Sequence, residues 1–124
     1  MYAIKTTRRT LAGLLLAGVG FAANAEVYLP DGHAWAESSE REQIAYLLGV
    51  SNALSVGYVS DEKRVPGNPD TFTHRAVRGL QGTTIEQAVG TVDAWYEANP
   101  DRLDTPVLEV LWEQIGKPRL DGAE

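Results

Sequence analysis

Two histidines are the chain's strongest candidates for acid–base or metal chemistry, His33 and His74. His33 follows the turn Pro30-Asp31-Gly32 and has Asp31 and Glu37 as acidic neighbours. A metal centre needs about three ligands at defined spacing, and nothing near His33 supplies them, so it reads as a surface turn histidine. His74 sits between Thr73 and Arg75, in a stretch that also holds Arg64, Phe72 and Arg78. No serine or other nucleophile has the spacing of a triad around either histidine. Carboxylates pair one turn apart at Asp93 and Glu97 and at Glu109 and Glu113. Such pairs can bind a hard cation, but at this spacing they more commonly mark a solvated helix face. Gly79-Leu80-Gln81-Gly82 lies before a helix start, where backbone N–H groups attract anions. No phosphate-loop lysine follows, and Gly82 serves more simply to turn the chain. The chain has no cysteine, so thiolate catalysis, iron–sulfur clusters and cysteine-ligated zinc are excluded. No cofactor and no enzymatic activity are expected.

The elements that must position these residues follow from patterning. Lys5, Arg8 and Arg9, the apolar run Leu11 to Ala23 and the Ala23-Asn24-Ala25 site have the layout of a signal peptide over residues 1–25. The run is short for a membrane span, which needs about 20 residues. The remainder, 26–124, has room for one helical domain in a periplasmic compartment, with no stable membrane insertion after cleavage. Export would remove three of the 11 basic residues and none of the 17 acidic ones, leaving a formal charge of −9. That excess disfavours nucleic acid and anionic lipid, and suits a soluble protein or a basic protein partner.

An all-α fold is expected, a small bundle of three main helices with an irregular loop between the first and second. The first helix spans 39–59, opened by a capping box of Ser39 and Glu42. Small residues line it at Gly49, Ser51, Ala53, Ser55 and Gly57, which calls for close approach of another helix to offset the glycines. Residues 61–82 follow no clean period and read as a loop holding at most one short element. The second helix spans 84–98, capped by Thr83 with Glu86 or Thr84 with Gln87, and stopped at Asn99-Pro100. Leu103 should plug the core. The third helix begins at Pro106 with Thr105 as cap and ends at Gly116 and Pro118, leaving a frayed tail over 119–124.

Two blocks are similar to a known family. Tyr46-Leu47-Leu48-Gly49-Val50-Ser51-Asn52-Ala53 resembles the "Y-[LI]-x-G-V-x-x-A" stretch of the Rap/Tai-type immunity domain. Gly82-Thr83-Thr84, Gln87, Trp95-Tyr96, Asn99-Pro100, Leu103 and Pro106-Val107 resemble its "G-x-T-x-x-Q … [WY]-x-x-x-[HN]-P-x-x-L-x-x-P" pattern. The family's cysteines have no counterpart here. The resemblance implies a small periplasmic helical protein that neutralises a cell-wall amidase delivered by type VI secretion.

The functional expectation is therefore a non-enzymatic protein-binding protein, an immunity or inhibitor protein whose partner is basic or a cell-wall hydrolase. Its candidate binding residues are Arg64, Phe72, His74, Arg75 and Arg78 in the irregular stretch, where loops carry function on a regular scaffold. Tyr96 and Trp112 join them as aromatic hot-spot candidates, with Trp95 assigned to the core. The alternative is an envelope protein that binds a small molecule or metal.

Overall fold

The computed structural model describes residues 27–122. The expected signal segment and the last two residues lie outside them. The described residues are mostly helical and form no strand; Asp31 and Pro106 make one isolated bridge. In chain order the helices are α1 (Gly32–Glu37), α2 (Glu40–Arg64), α3 (Phe72–Leu80), α4 (Ile85–Ala98), α5 (Val107–Leu111) and α6 (Lys117–Asp121), with a π-helical segment (Trp112–Gly116) joining the last two.

All-α is thus correct, but the count of three helices is not. The stretch expected to be an irregular loop contains α3, nine residues long. Its period was hidden because it buries small and polar residues, His74, Ala76 and Gly79, rather than large apolar ones. The leader also folds: Asp31 caps α1 by accepting from the His33 and Ala34 amides at 3.0 and 3.1 Å. That short helix inserts Trp35 into the core, 5% exposed. The Trp35 indole N–H donates to Asp93 at 2.7 Å, so this carboxylate has a structural partner rather than a purely solvated face.

Helix α2 starts where the sequence places it. Ser39 Oγ accepts from the Glu42 amide at 3.3 Å, and Glu42 accepts from the Ser39 amide at 2.7 Å. These bonds hold the Glu42 carboxyl below its usual range. The helix runs five residues past the expected end at Val59, because Lys63 and Arg64 suit a C-terminal turn and no breaker precedes Pro66. Of the two caps proposed for α4, Thr84 with Gln87 forms the capping box.

The third expected helix differs most. Pro106 rather than Thr105 occupies the cap position, and no side chain caps it. Gly116 and Pro118 do not end the helix. A π turn precedes Pro118, whose ring would clash with the Gln114 carbonyl in a regular α-helix; the wider turn lets the helix continue to Asp121. The tail is accordingly helical rather than frayed over 119–121.

The core lies mainly in the C-terminal half. Val92, Val107 and Val110 are fully buried, with Val89, Tyr96, Leu111 and Ile115 around them. Leu103 packs against this cluster as expected, and its carbonyl accepts from the Gly32 amide at 2.8 Å. Helix α3 is tied to the π segment by a glycine-on-glycine contact: a Cβ on Gly79 would lie 2.8 Å from Gly116 Cα and from its carbonyl oxygen. The backbones can approach so closely because Gly79 has no side chain; a Cβ on Gly116 would instead meet the Trp112 ring, at 2.7 Å.

Candidate functional site: the α3 face and the groove beside it

Helix α3 divides the sequence-predicted site residues by its period. Thr71 caps it, accepting from the His74 amide at 3.3 Å. Phe72, Arg75 and Arg78, at spacings of three, are exposed; His74, Ala76 and Gly79 are buried. The result is one aromatic and two cationic side chains along the outer face of a short, rigid helix. Phe72 is 72% exposed, unusual for so large an apolar group. The Arg75 guanidinium lies 5.9 Å from the Trp112 ring centroid, so Trp112, half-buried on the π segment, extends this face.

His74 does different work. Its Nδ1 is 2.7 Å from Thr71 Oγ1 and its Nε2 is 2.6 Å from Glu62 Oε1. The Tyr58 ring stacks on it at 4.3 Å between centroids. Both ring nitrogens are engaged and the side chain is buried, so His74 does not belong to the surface expected of it. It clasps the start of α3 to the end of α2. Beside it the Thr73 hydroxyl donates to Asp61, and hydrogen bonds from Thr73 and Thr71 hold the Asp61 carboxyl below its ordinary range. Asp61 and Glu62 are therefore the acceptors that anchor α3. The spacing of 12 residues between each carboxylate and its partner spans a turn, a separation that one-helix pairing rules do not detect.

Tyr96 is also in the core, not on a binding surface. It is 7% exposed, and its hydroxyl donates to the Thr105 carbonyl at 2.6 Å. Burial, with smaller contributions from Asp31, Tyr46 and Glu109, pushes its pKa up to about 12. The roles expected of Trp95 and Tyr96 are exchanged: Trp95 is only half-buried, and Arg102 lies over its ring at 4.9 Å. The remaining candidate, Arg64, is exposed in the last turn of α2. His33 is exposed near Asp104, at 3.3 Å. Among the described residues no group of three histidines or carboxylates is placed to hold a metal ion.

Between α2, α3 and α4 runs a groove of about 400 Å³, which sequence reasoning missed. Leu47, Leu54 and Tyr58 from α2, Leu80 at the end of α3, Ile85 at the start of α4, and Leu111 supply its apolar wall. Arg78 stands on its rim with Ser51, Ser55 and Gln81. Thr83 also lines it; its Oγ1 is buried and has no hydrogen-bond partner among the described residues. The groove exists because α2 packs against α3 and α4 along one edge of each and leaves the space between them partly filled.

Compared with known proteins, the chain matches no family model, no curated protein and no solved structure. The site must be read from its own chemistry. It offers exposed aromatic and guanidinium groups next to an apolar groove on an otherwise acidic molecule, a combination suited to recognition. No helix among the described residues is long and apolar enough to cross a membrane.

Proposed function

We propose that this chain is an exported, non-enzymatic protein-binding protein that docks its partner on the outer face of α3. The observation that carries this is the alignment of Phe72, Arg75 and Arg78 on one exposed helix face, with Arg75 over Trp112. Aromatic and arginine side chains dominate binding energy at interfaces, and a rigid helix presents them at little entropic cost. The apolar groove next to Arg78 accommodates a side chain or short segment of the partner. In this reading the partner brings an acidic group to Arg75 and Arg78, while the acidic remainder of the surface steers a partner that is basic elsewhere. The resemblance to Rap/Tai-type immunity domains supplies the physiological frame: inhibition of a cell-wall hydrolase in the periplasm.

A second reading has its own observation. The groove with its unpartnered Thr83 hydroxyl and the Arg78 rim fits a small amphiphilic acid, its apolar part against Leu54 and Ile85. A thermal-shift screen with medium-chain carboxylic acids separates the two. Stabilisation that disappears in Arg78→Ala supports the small-ligand reading. The docking reading is tested by capture from envelope extracts of the host and of competing bacteria, comparing the wild type with a Phe72→Ser/Arg75→Glu/Arg78→Glu variant. A stoichiometric partner held by the wild type and lost by the variant supports it; equal capture by both contradicts it.

A further inference from the structure

The acidic balance of the chain is unevenly distributed. Helix α3 packs against α2, the π segment and α6. Its neighbourhood, residues 57–83 and 112–122, starts at Gly57, where a Cβ would meet Thr73 Cγ2 at 2.6 Å. This side carries six basic and five acidic residues, whereas the rest of the described chain sets two basic residues, Arg41 and Arg102, against ten acidic ones. The excess that suits a basic partner therefore lies away from α3. Three of the five carboxylates on the α3 side are also occupied. Asp61 accepts from Thr73, Glu62 Oε1 lies 2.6 Å from His74 Nε2, and Glu113 pairs with Lys117 at 3.3 Å.

Four of the six bases are arginines strung along α3. Arg64 closes α2 beside the start of α3: the Asp61 carboxyl, held low by the Thr73 and Thr71 hydroxyls, is lowered further by the Arg64 charge. Arg75 and Arg78 stand exposed on the outer face. At the far end, Arg119 Nη1 donates at 2.5 Å to the carbonyl of Gln81, the residue that caps α3. That bond fixes an exposed guanidinium of α6 against the end of α3, across 38 positions of sequence. Helix α3 is about 14 Å long at about 1.5 Å per residue. With an arginine beyond each end, the track spans about six residues of an extended chain. Guanidinium forks match carboxylates in bidentate pairs. Phe72 and the apolar groove beside Arg78 provide places for apolar side chains between the carboxylates, groups that a phosphate polymer does not bring.

On the reading of α3 as the docking face, on which this rests, we propose that the segment held there is an extended acidic peptide with interspersed apolar side chains, laid along the arginines from Arg64 to Arg119. Arg119 thereby joins the face as a binding residue. The ten carboxylates elsewhere repel such a segment from the other surfaces, so charge decides where it lands as well as what is accepted.

The test uses isotope-labelled protein expressed from its full coding sequence and purified in the form the cell leaves. A synthetic peptide of repeating Glu-Glu-Leu is titrated into it at low salt, where exposed charges are least screened, and binding is followed by NMR. The expected result is saturable binding that shifts the amides of Phe72, Arg75, Arg78 and Arg119 and leaves those of α4 in place. Arg75→Glu/Arg78→Glu should weaken it by roughly tenfold or more, while Arg41→Glu/Arg102→Glu, an identical change in net charge, should stay within about threefold of the wild type. Arg119→Gln should cost about threefold, the worth of one exposed ion pair, and Arg119→Lys should recover most of that. No binding, shifts centred on α1 or α4, equal loss in the two charge-reversed variants, or tighter binding of inorganic polyphosphate overturns the proposal. Capture from envelope extracts fails separately. A captured partner that cross-links to α3 through a neutral or basic segment contradicts the acidic peptide and leaves the docking face standing. Equal capture by the wild type and the Phe72→Ser/Arg75→Glu/Arg78→Glu variant removes the docking reading whatever the peptide does.

Discussion

Helix α2 and the C-terminal half, from α4 to α6, are built on opposite principles. Helix α2 has 25 residues and a complete capping box, yet it buries only Leu47. The C-terminal half is made of shorter pieces but contributes Val89, Val92, Tyr96, Val107, Val110, Leu111 and Ile115 to the core. Most of what α2 offers is surface: the α3 contact on one edge, the groove next to it, and an exposed far side. The contrast separates the part of the molecule that makes the fold from the part available to recognise something. A helix held by local signals and one edge can devote its other faces to partners; a helix wrapped around the core cannot.

Substitutions should separate these regions by size of effect. Gly79→Ala drives a methyl into the Gly116 backbone and should cost about 3 kcal/mol in urea unfolding, the upper end for overpacking. A cost well below about 1 kcal/mol, the lower end for overpacking, would show that α3 and the π segment can part without loss. Val92→Ala opens a cavity at a fully buried site and should cost about 2 kcal/mol. Ser39→Ala removes the α2 cap for about 1 kcal/mol. Its effect should be confined in hydrogen exchange to the first turns of α2; accelerated exchange across α4 would mean that α2 and the core fold as one unit. Gly90→Ala, on an open face of α4, should gain about 0.8 kcal/mol from helix propensity.

Titration probes the same division. Asp61 has a lowered folded pKa, so its contribution is present above the ordinary carboxylate value of 3.8 and is lost as pH falls below it. Acid should therefore loosen the α2–α3 clasp first, an effect removed in Asp61→Asn and visible as early exchange of the α3 amides. Tyr96 has a raised folded pKa, so its contribution is complete below pH 10.0 and is lost as pH rises toward about 12. Alkali should then attack the C-terminal core, and Tyr96→Phe should flatten that dependence. The reverse order, with acid opening the core and alkali the clasp, would break the comparison.

Legibility in the sequence followed the strength of local signals. Both capping boxes, the stop at Asn99 and the plug at Leu103 were readable because each depends on residues within a few positions. Helix α3 was not, since its inward side carries His74, Ala76 and Gly79 and its outward side carries Phe72, inverting the usual pattern. Gly79 read as part of a stretch before a helix start and Gly116 as a stop signal, when Gly79 lets α3 touch the Gly116 backbone and Gly116 leaves room for the Trp112 ring. Of the candidate site, Phe72, Arg75, Arg78 and Trp112 come together on or beside one face, whereas His74 and Tyr96 are committed to internal hydrogen bonds. The groove was invisible because it is formed by what three helices leave unfilled.

The most direct measurement for the docking claim is capture from envelope extracts by the wild type and by the Phe72→Ser/Arg75→Glu/Arg78→Glu variant, after both show the same unfolding midpoint. The account predicts one stoichiometric protein partner retained by the wild type and lost by the variant. The same partner held equally by a variant stripped of its aromatic and cationic face would contradict it.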